Sequence, residues 1–192
     1  MPRGSYTRRE AVLAITSLAL APRVFGEATP PPGSARYHVE LVVFRQPGAP
    51  PRALPVAAIA AGSTIPGRVV PLPESSWQLG APAAALARHG YALLAHSAWA
   101  AIVPPNGRTT AHTEDLLPAG APVSGSIAVQ RSQYLFVGLE LDYRGAADQL
   151  YGLREKRRAK FGERHYFDHP AFGAIVAIAA PHGAAADADA EE

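Results

Sequence analysis

Along residues 37–45, Tyr37, Val39, Leu41 and Val43 alternate with His38 and Glu40 before the run turns apolar on both faces at Val42, Val43 and Phe44. Period-two alternation rich in β-branched and aromatic residues predicts a strand with one buried face. Tyr91 to Val103 is a longer apolar run and predicts a mostly buried strand, stopped by Pro104 and Pro105. Val123 to Arg131 and Tyr134 to Tyr143 predict two strands joined by a tight hairpin at Ser132 and Gln133. In the second of these, Leu135, Val137, Leu139, Leu141 and Tyr143 share one face, and Tyr134, Phe136, Glu140 and Asp142 the other. Leu150 to Arg158 suits a strand or a short helix, and Gly152 and Gly162 favour the extended form. Gly173 to Ala180 predicts a final buried strand closed by Pro181. One helix is expected at Pro82 to His89, with proline in its first turn, an alanine-rich interior and Gly90 just past its end. Five or six strands with close sequence neighbours, against one short helix, predict a single α+β domain over residues 37–181, built on a mainly antiparallel sheet.

The 19 prolines of the chain fall largely outside these runs. Residues 27–36 form a Pro-rich linker that builds neither a helix nor a central strand. Residues 46–76 show little periodicity and are expected to be a long Pro-rich loop crossing the surface. Residues 1–26 have the make-up of an export signal: Arg3, Arg8 and Arg9, then the short apolar core Ala11 to Ala21, then Val24 and Gly26 before a cleavage point. That core is too short to span a bilayer, so no membrane span is expected after cleavage. Export from the cytoplasm is expected, with cleavage near Gly26. The tail over 182–192 is small, acidic and expected to be disordered. Cysteine is absent, which excludes disulfides, thiol catalysis and a lipid-acylated amino-terminal cysteine. The formal charge of +2 belongs largely to the signal. Without Arg3, Arg8, Arg9 and Arg23 the 18 basic residues become 14, and without Glu10 the 16 acidic residues become 15. General binding to polyanions, nucleic acid included, is not expected of a near-neutral exported chain.

Catalytic chemistry finds little footing. No G-x-S-x-G elbow and no phosphate-binding glycine loop occurs, so neither enzyme activity nor a cofactor is expected. His96 lies inside an apolar strand and reads as a satisfied core histidine. Glu114 and Asp115 read as a solvated acidic pair on a loop. His165 and His169 stand four apart around Asp168, a spacing that shares a face only in a helix, and Pro170 disfavours helical backbone just before it. Asp168, His169, Pro170 and Gly173 therefore read as a structural turn in which Asp168 caps nearby amides, and not as a metal site. The segment with the most chemistry is Arg154 to Arg164, with six basic residues in eleven positions and Tyr166 and Phe167 close behind. Arginine grips carboxylates with two parallel hydrogen bonds and stacks on flat groups. Arg157, Arg158, Arg164 and Tyr166 are the candidate ligand-binding residues; the competing reading is a solvated, charged edge strand.

The segment RRAKFGERHYFDHPAFGAIVAI also resembles the carboxy-terminal signature of the CsiV family. Arg157, Arg158, Gly162, Glu163, His165, Tyr166, Asp168, His169, Pro170, Phe172 and Gly173 match that signature position by position. YHVELVVF at 37–44, GYALLAHSAW at 90–99 and VSGSIAVQRSQYLFVGLEL at 123–141 are similar to three further family segments, while Ala101, Phe136, Lys160 and Arg164 depart from the pattern. The resemblance implies a periplasmic, non-enzymatic, peptidoglycan-binding protein that supports cell-wall synthesis and cell shape. It implies as a partner an outer-membrane lipoprotein that activates a class A penicillin-binding protein. A protein adaptor that binds no glycan is the alternative.

Overall fold

Residues 37–45 do form a strand, and it runs through the middle of the molecule. The computed structural model describes residues 29–48, 65 and 68–180. The export signal, most of the loop 46–76 and the acidic tail lie outside those residues. The described chain runs β1 (Ala35–Arg45), β2 (Val69–Pro71), α1 (Gly80–Arg88), β3 (Ala92–Val103), β4 (Arg108–His112), α2 (Thr113–Leu116), β5 (Val123–Arg131), β6 (Leu135–Arg144), β7 (Leu150–Ala159), β8 (Arg164–Asp168) and β9 (Phe172–Ala179). Every strand pairing is antiparallel, in two sheets ordered β2-β3-β1-β9-β8 and β4-β5-β6-β7. No described helix is long and apolar enough to cross a membrane.

The two sheets share one core. Val39, Leu41, Trp99, Phe172 and Val176 of the first sheet pack with Ile127, Val137, Leu139, Leu141 and Leu153 of the second, all essentially without exposure. On the far side of the first sheet, Val42 and Phe44 meet Leu79 and Ala83 at the start of α1. The first sheet is thus buried on both faces, which explains why β1 turns apolar on both. The second sheet has one dry face and one open face. α1 ends as its composition predicts: the Gly90 N–H donates to the Ala87 carbonyl and the Tyr91 N–H to the Leu86 carbonyl, with Gly90 at φ +83°.

Three strands were not legible. β4 carries only Thr109 and Ala111 inward, too little apolar signal to separate it from a polar loop. β2 has three residues. β8 (RHYFD), which ends where the expected turn begins at Asp168, is short but alternates, with His165 and Phe167 buried and Arg164, Tyr166 and Asp168 exposed. Glu114 and Asp115 sit in the short helix α2 and not on a loop. The hairpin between β5 and β6 closes at the pair Arg131–Leu135, so its loop includes Tyr134.

Glu40 overturns the expected polar face of β1. It has no solvent exposure, because α1 covers that side of the sheet. Its carboxylate accepts the Gln78 N–H at 2.6 Å and the Leu79 N–H at 2.9 Å, at the amino end of α1. The third partner is His96, whose Nε2 lies 2.7 Å away; Trp77 packs on the His96 ring with centroids 4.1 Å apart. A negative charge here is favoured by the helix dipole, and its bonds satisfy amides the helix cannot. His96 is therefore the engaged core histidine its strand context predicts. His38 Nε2 is 3.7 Å from the same carboxylate, beyond hydrogen-bond range, and is the one buried side-chain polar atom without a hydrogen-bond partner among the described residues.

The Asp-His-Pro segment is a turn, but its parts differ from expectation. Asp168 accepts from the Gln46 side chain at 2.9 Å and the Tyr166 hydroxyl at 3.1 Å, so it ties β1 to β8 and caps no backbone amide in the hydrogen bonds identified. The amide cap is His169, whose Nδ1 accepts the Ala171 N–H at 3.1 Å. Gly173 lies in β9, opposite Phe44, and a Cβ there would stand 2.6 Å from the Phe44 ring. It is needed for close approach and not for turning.

Two outcomes follow from these contacts. Glu40→Ala leaves His96 and two helix amides without their acceptor and is expected to lower the unfolding free energy by about 3 kcal/mol. A urea titration showing a loss below about 1 kcal/mol would mean that the carboxylate does not anchor α1. Burial lowers the His169 pKa against a smaller opposing pull from Asp168. Protonating Nδ1 would also break its bond to the Ala171 amide. Stability from neutral His169 is thus complete above the unfolded value of about 6.5 and lost as pH falls through the lower folded value. The stability difference between wild type and His169→Gln should shrink when the pH is lowered from neutrality, as followed by thermal unfolding; a gap that stays constant refutes this.

Candidate functional site

β7 explains what happens to the dense basic segment. An extended chain sends neighbouring residues to opposite faces, so Arg157 and Arg158 part company. Arg157 points to the core side at the seam between the sheets. Its Nε donates to Glu155 at 2.6 Å, and its guanidinium lies 5.0 Å from the Phe167 ring centre. Arg158 points outward and packs over Tyr134, 3.6 Å from the ring centre. Arg164 and Tyr166 lie on β8, exposed on the helix side of the first sheet, where Tyr166 stacks with Phe44 at 6.0 Å. The Tyr166 hydroxyl has its pKa raised, by burial first and then by its bond to Asp168. The four candidate residues are thus spread over three surfaces.

What the fold does bring together is the open face of the second sheet. The strand registers align three rows across β4, β5, β6 and β7. These are Arg108, Gln130, Phe136 and Arg158; Thr110, Ala128, Gly138 and Lys156; and His112, Ser126, Glu140 and Arg154. The middle of the face carries small residues, Ser126, Ala128 and Gly138, while longer side chains rise from β4 and β7 on either side. The result is a groove of about 670 Å³, bordered by Ile65 from the segment between β1 and β2. It is the size at which a cleft admits a small ligand.

The groove's charges divide into engaged and available. Arg154 is engaged: it donates to Asp142 at 2.5 Å and to the Leu141 carbonyl at 2.7 Å. Asp142, read from the sequence as facing outward, is 1% exposed because Arg154 closes over it. Lys156 reaches along the groove to Gln130 Oε1 at 2.6 Å and sits 5.0 Å from the Phe136 ring centre. Arg108, Lys156 and Arg158 have no carboxylate partner among the described residues. Of these, Arg108 and Lys156 line the groove, and cations held in a half-enclosed groove without a paired carboxylate favour an anionic group on a ligand. Of these residues, sequence reasoning selected Arg158 alone. Lys156 was legible as a member of the alternating basic run, whereas Arg108 required β4 to be recognised as a strand.

A family model described as "Peptidoglycan-binding protein, CsiV" matches residues 56–181. The match contains every residue named in the groove and leaves β1 outside it. No curated protein and no solved structure matches the chain. With more than half of its length matched, the chain belongs to the CsiV family of peptidoglycan-binding proteins.

Proposed function

We propose that this chain is an exported, periplasmic, non-enzymatic protein that holds peptidoglycan in the groove on the open face of the second sheet. On this reading it supports cell-wall synthesis and cell shape through an outer-membrane lipoprotein that activates a class A penicillin-binding protein. The observation that carries the binding site is the convergence of Arg108 and Lys156, neither paired with a carboxylate among the described residues, over a floor of Ala128 and Gly138. Peptidoglycan stem peptides and muramic acid derivatives carry carboxylates, for which such cations are suited. A binding role is further supported by the way the strongest acid–base pairs are occupied: His96 holds Glu40, and Arg154 holds Asp142.

A second reading has its own observation. Arg164 and Tyr166 lie on the helix side, where an apolar notch of about 610 Å³ is lined by Pro47, Leu86, Tyr91 and Ile175. An apolar notch beside a cationic edge suits a protein partner. The adaptor reading rests there.

Sedimentation with purified sacculi separates the two. Wild type is expected in the pellet, Arg108→Glu with Lys156→Glu in the supernatant with an affinity at least about tenfold lower, and Arg164→Glu with Tyr166→Ala in the pellet. Release by the second pair and retention of the first would move the wall contact to the helix side. Wild type left in solution would favour the adaptor.

A further inference from the structure

The groove is not uniform along its length. Its cations gather at one end, where Arg108 stands in the outermost row and Lys156 reaches toward that row through Gln130. The opposite end carries Glu140, exposed and without an ion-pair partner among the described residues. Arg154 faces Glu140 directly across the strand pair but is committed to Asp142. The two outer rows are four residues apart along β6, about 13 Å, which is the span of an extended peptide of about four residues.

Between those ends the floor is bare. Gly138 has no positive φ, and a Cβ on it would meet nothing nearer than 3.9 Å. Neither the backbone nor packing within the chain demands glycine there. Glycine in a strand interior weakens the strand, and it suits a place where another backbone lies close. Among the described residues the one aromatic ring that lines the groove, Phe136, is half-buried and has the Lys156 ammonium 5.0 Å from its centre, which leaves little free face for a sugar.

Resting on the reading of this groove as the peptidoglycan site, the geometry points to the stem peptide, not the glycan strand, as what it recognises. The peptide lies extended over Ala128 and Gly138, with the α-carboxylate of its γ-linked glutamate at the Arg108 and Lys156 end and the distal ammonium of its diamino acid at Glu140. A peptide carrying both charges is thereby read in one direction.

Three solid phases test this: intact sacculi, glycan strands freed of stem peptides by an amidase and coupled to beads, and an inert polysaccharide. Retention on intact sacculi alone supports the proposal. Equal retention on intact sacculi and on the peptide-free glycan overturns it while leaving peptidoglycan binding in place. Retention on none overturns both. A second measurement uses the synthetic tripeptide L-Ala-γ-D-Glu-diaminopimelate, free or N-acetylated at its distal amine, in titration calorimetry. Acetylation is expected to weaken binding to wild type about fivefold. Glu140→Gln, an exposed and nearly isosteric change, should bind both peptides alike and at the weaker level. Arg108→Gln should weaken both and keep the fivefold difference. Equal binding of the two peptides by wild type, or an unchanged fivefold preference in Glu140→Gln, overturns the assigned direction.

Discussion

A carboxylate with no access to solvent decides how this molecule is layered. Glu40 holds the amino end of α1 against the first sheet through two backbone amides and His96. The apolar contact that accompanies it is slight, since α1 is alanine-rich and Ala83 is its only buried residue. Alanine buries little area, so apolar contact alone would hold the helix weakly and in no fixed register. Directional bonds to a charged acceptor supply the position that the small interface does not. The cost of burying a charge is offset because the carboxylate's acceptor capacity is used.

That docking settles where a ligand can meet the fold. With α1 in place the first sheet is covered on both faces, and its interior strands are committed to packing. The second sheet is covered only by the first. Among the described residues its outer face is therefore the broad surface of regular strands whose alternate residues are free to be polar. Antiparallel registry then does the rest, because it lines up residues from distant parts of the chain in rows across four strands. Arg108 and Lys156 are 48 positions apart in the sequence and border the same groove.

The division between what was legible and what was not follows from this layering. Strands with a full apolar face, such as β1, β3, β5, β6 and β9, announce themselves by periodicity, because one-sided burial is local in sequence. The helix was legible through its punctuation. Glu40 misled, since alternation reports that every second residue is polar but not whether water or a helix lies over it. In the basic segment it is strand parity that decides. Charge density along a chain says nothing about faces, and in a strand the run Arg154 to Arg158 is divided by parity: Arg157 goes to the seam with Glu155, Arg154 to Asp142, Lys156 into the groove. The groove was not legible because one wall of it stands on β4, whose two small inward residues leave almost no apolar trace.

Outside residues 1–26 the chain carries 14 basic and 15 acidic residues, so it has no net charge with which to attract a polyanion from a distance. Its selectivity must come from placement. At physiological ionic strength exposed charges are screened beyond about 8 Å, so Arg108 and Lys156 act on what enters the groove and not on what passes by. The pairing of the cations nearest the groove in sequence sharpens this effect. Arg154, Arg157 and Lys160 each have a carboxylate at hand, which removes them as competing anion sites. Uncompensated cations placed in one recess of a near-neutral chain favour a ligand whose charges fit that recess over one that is merely negative.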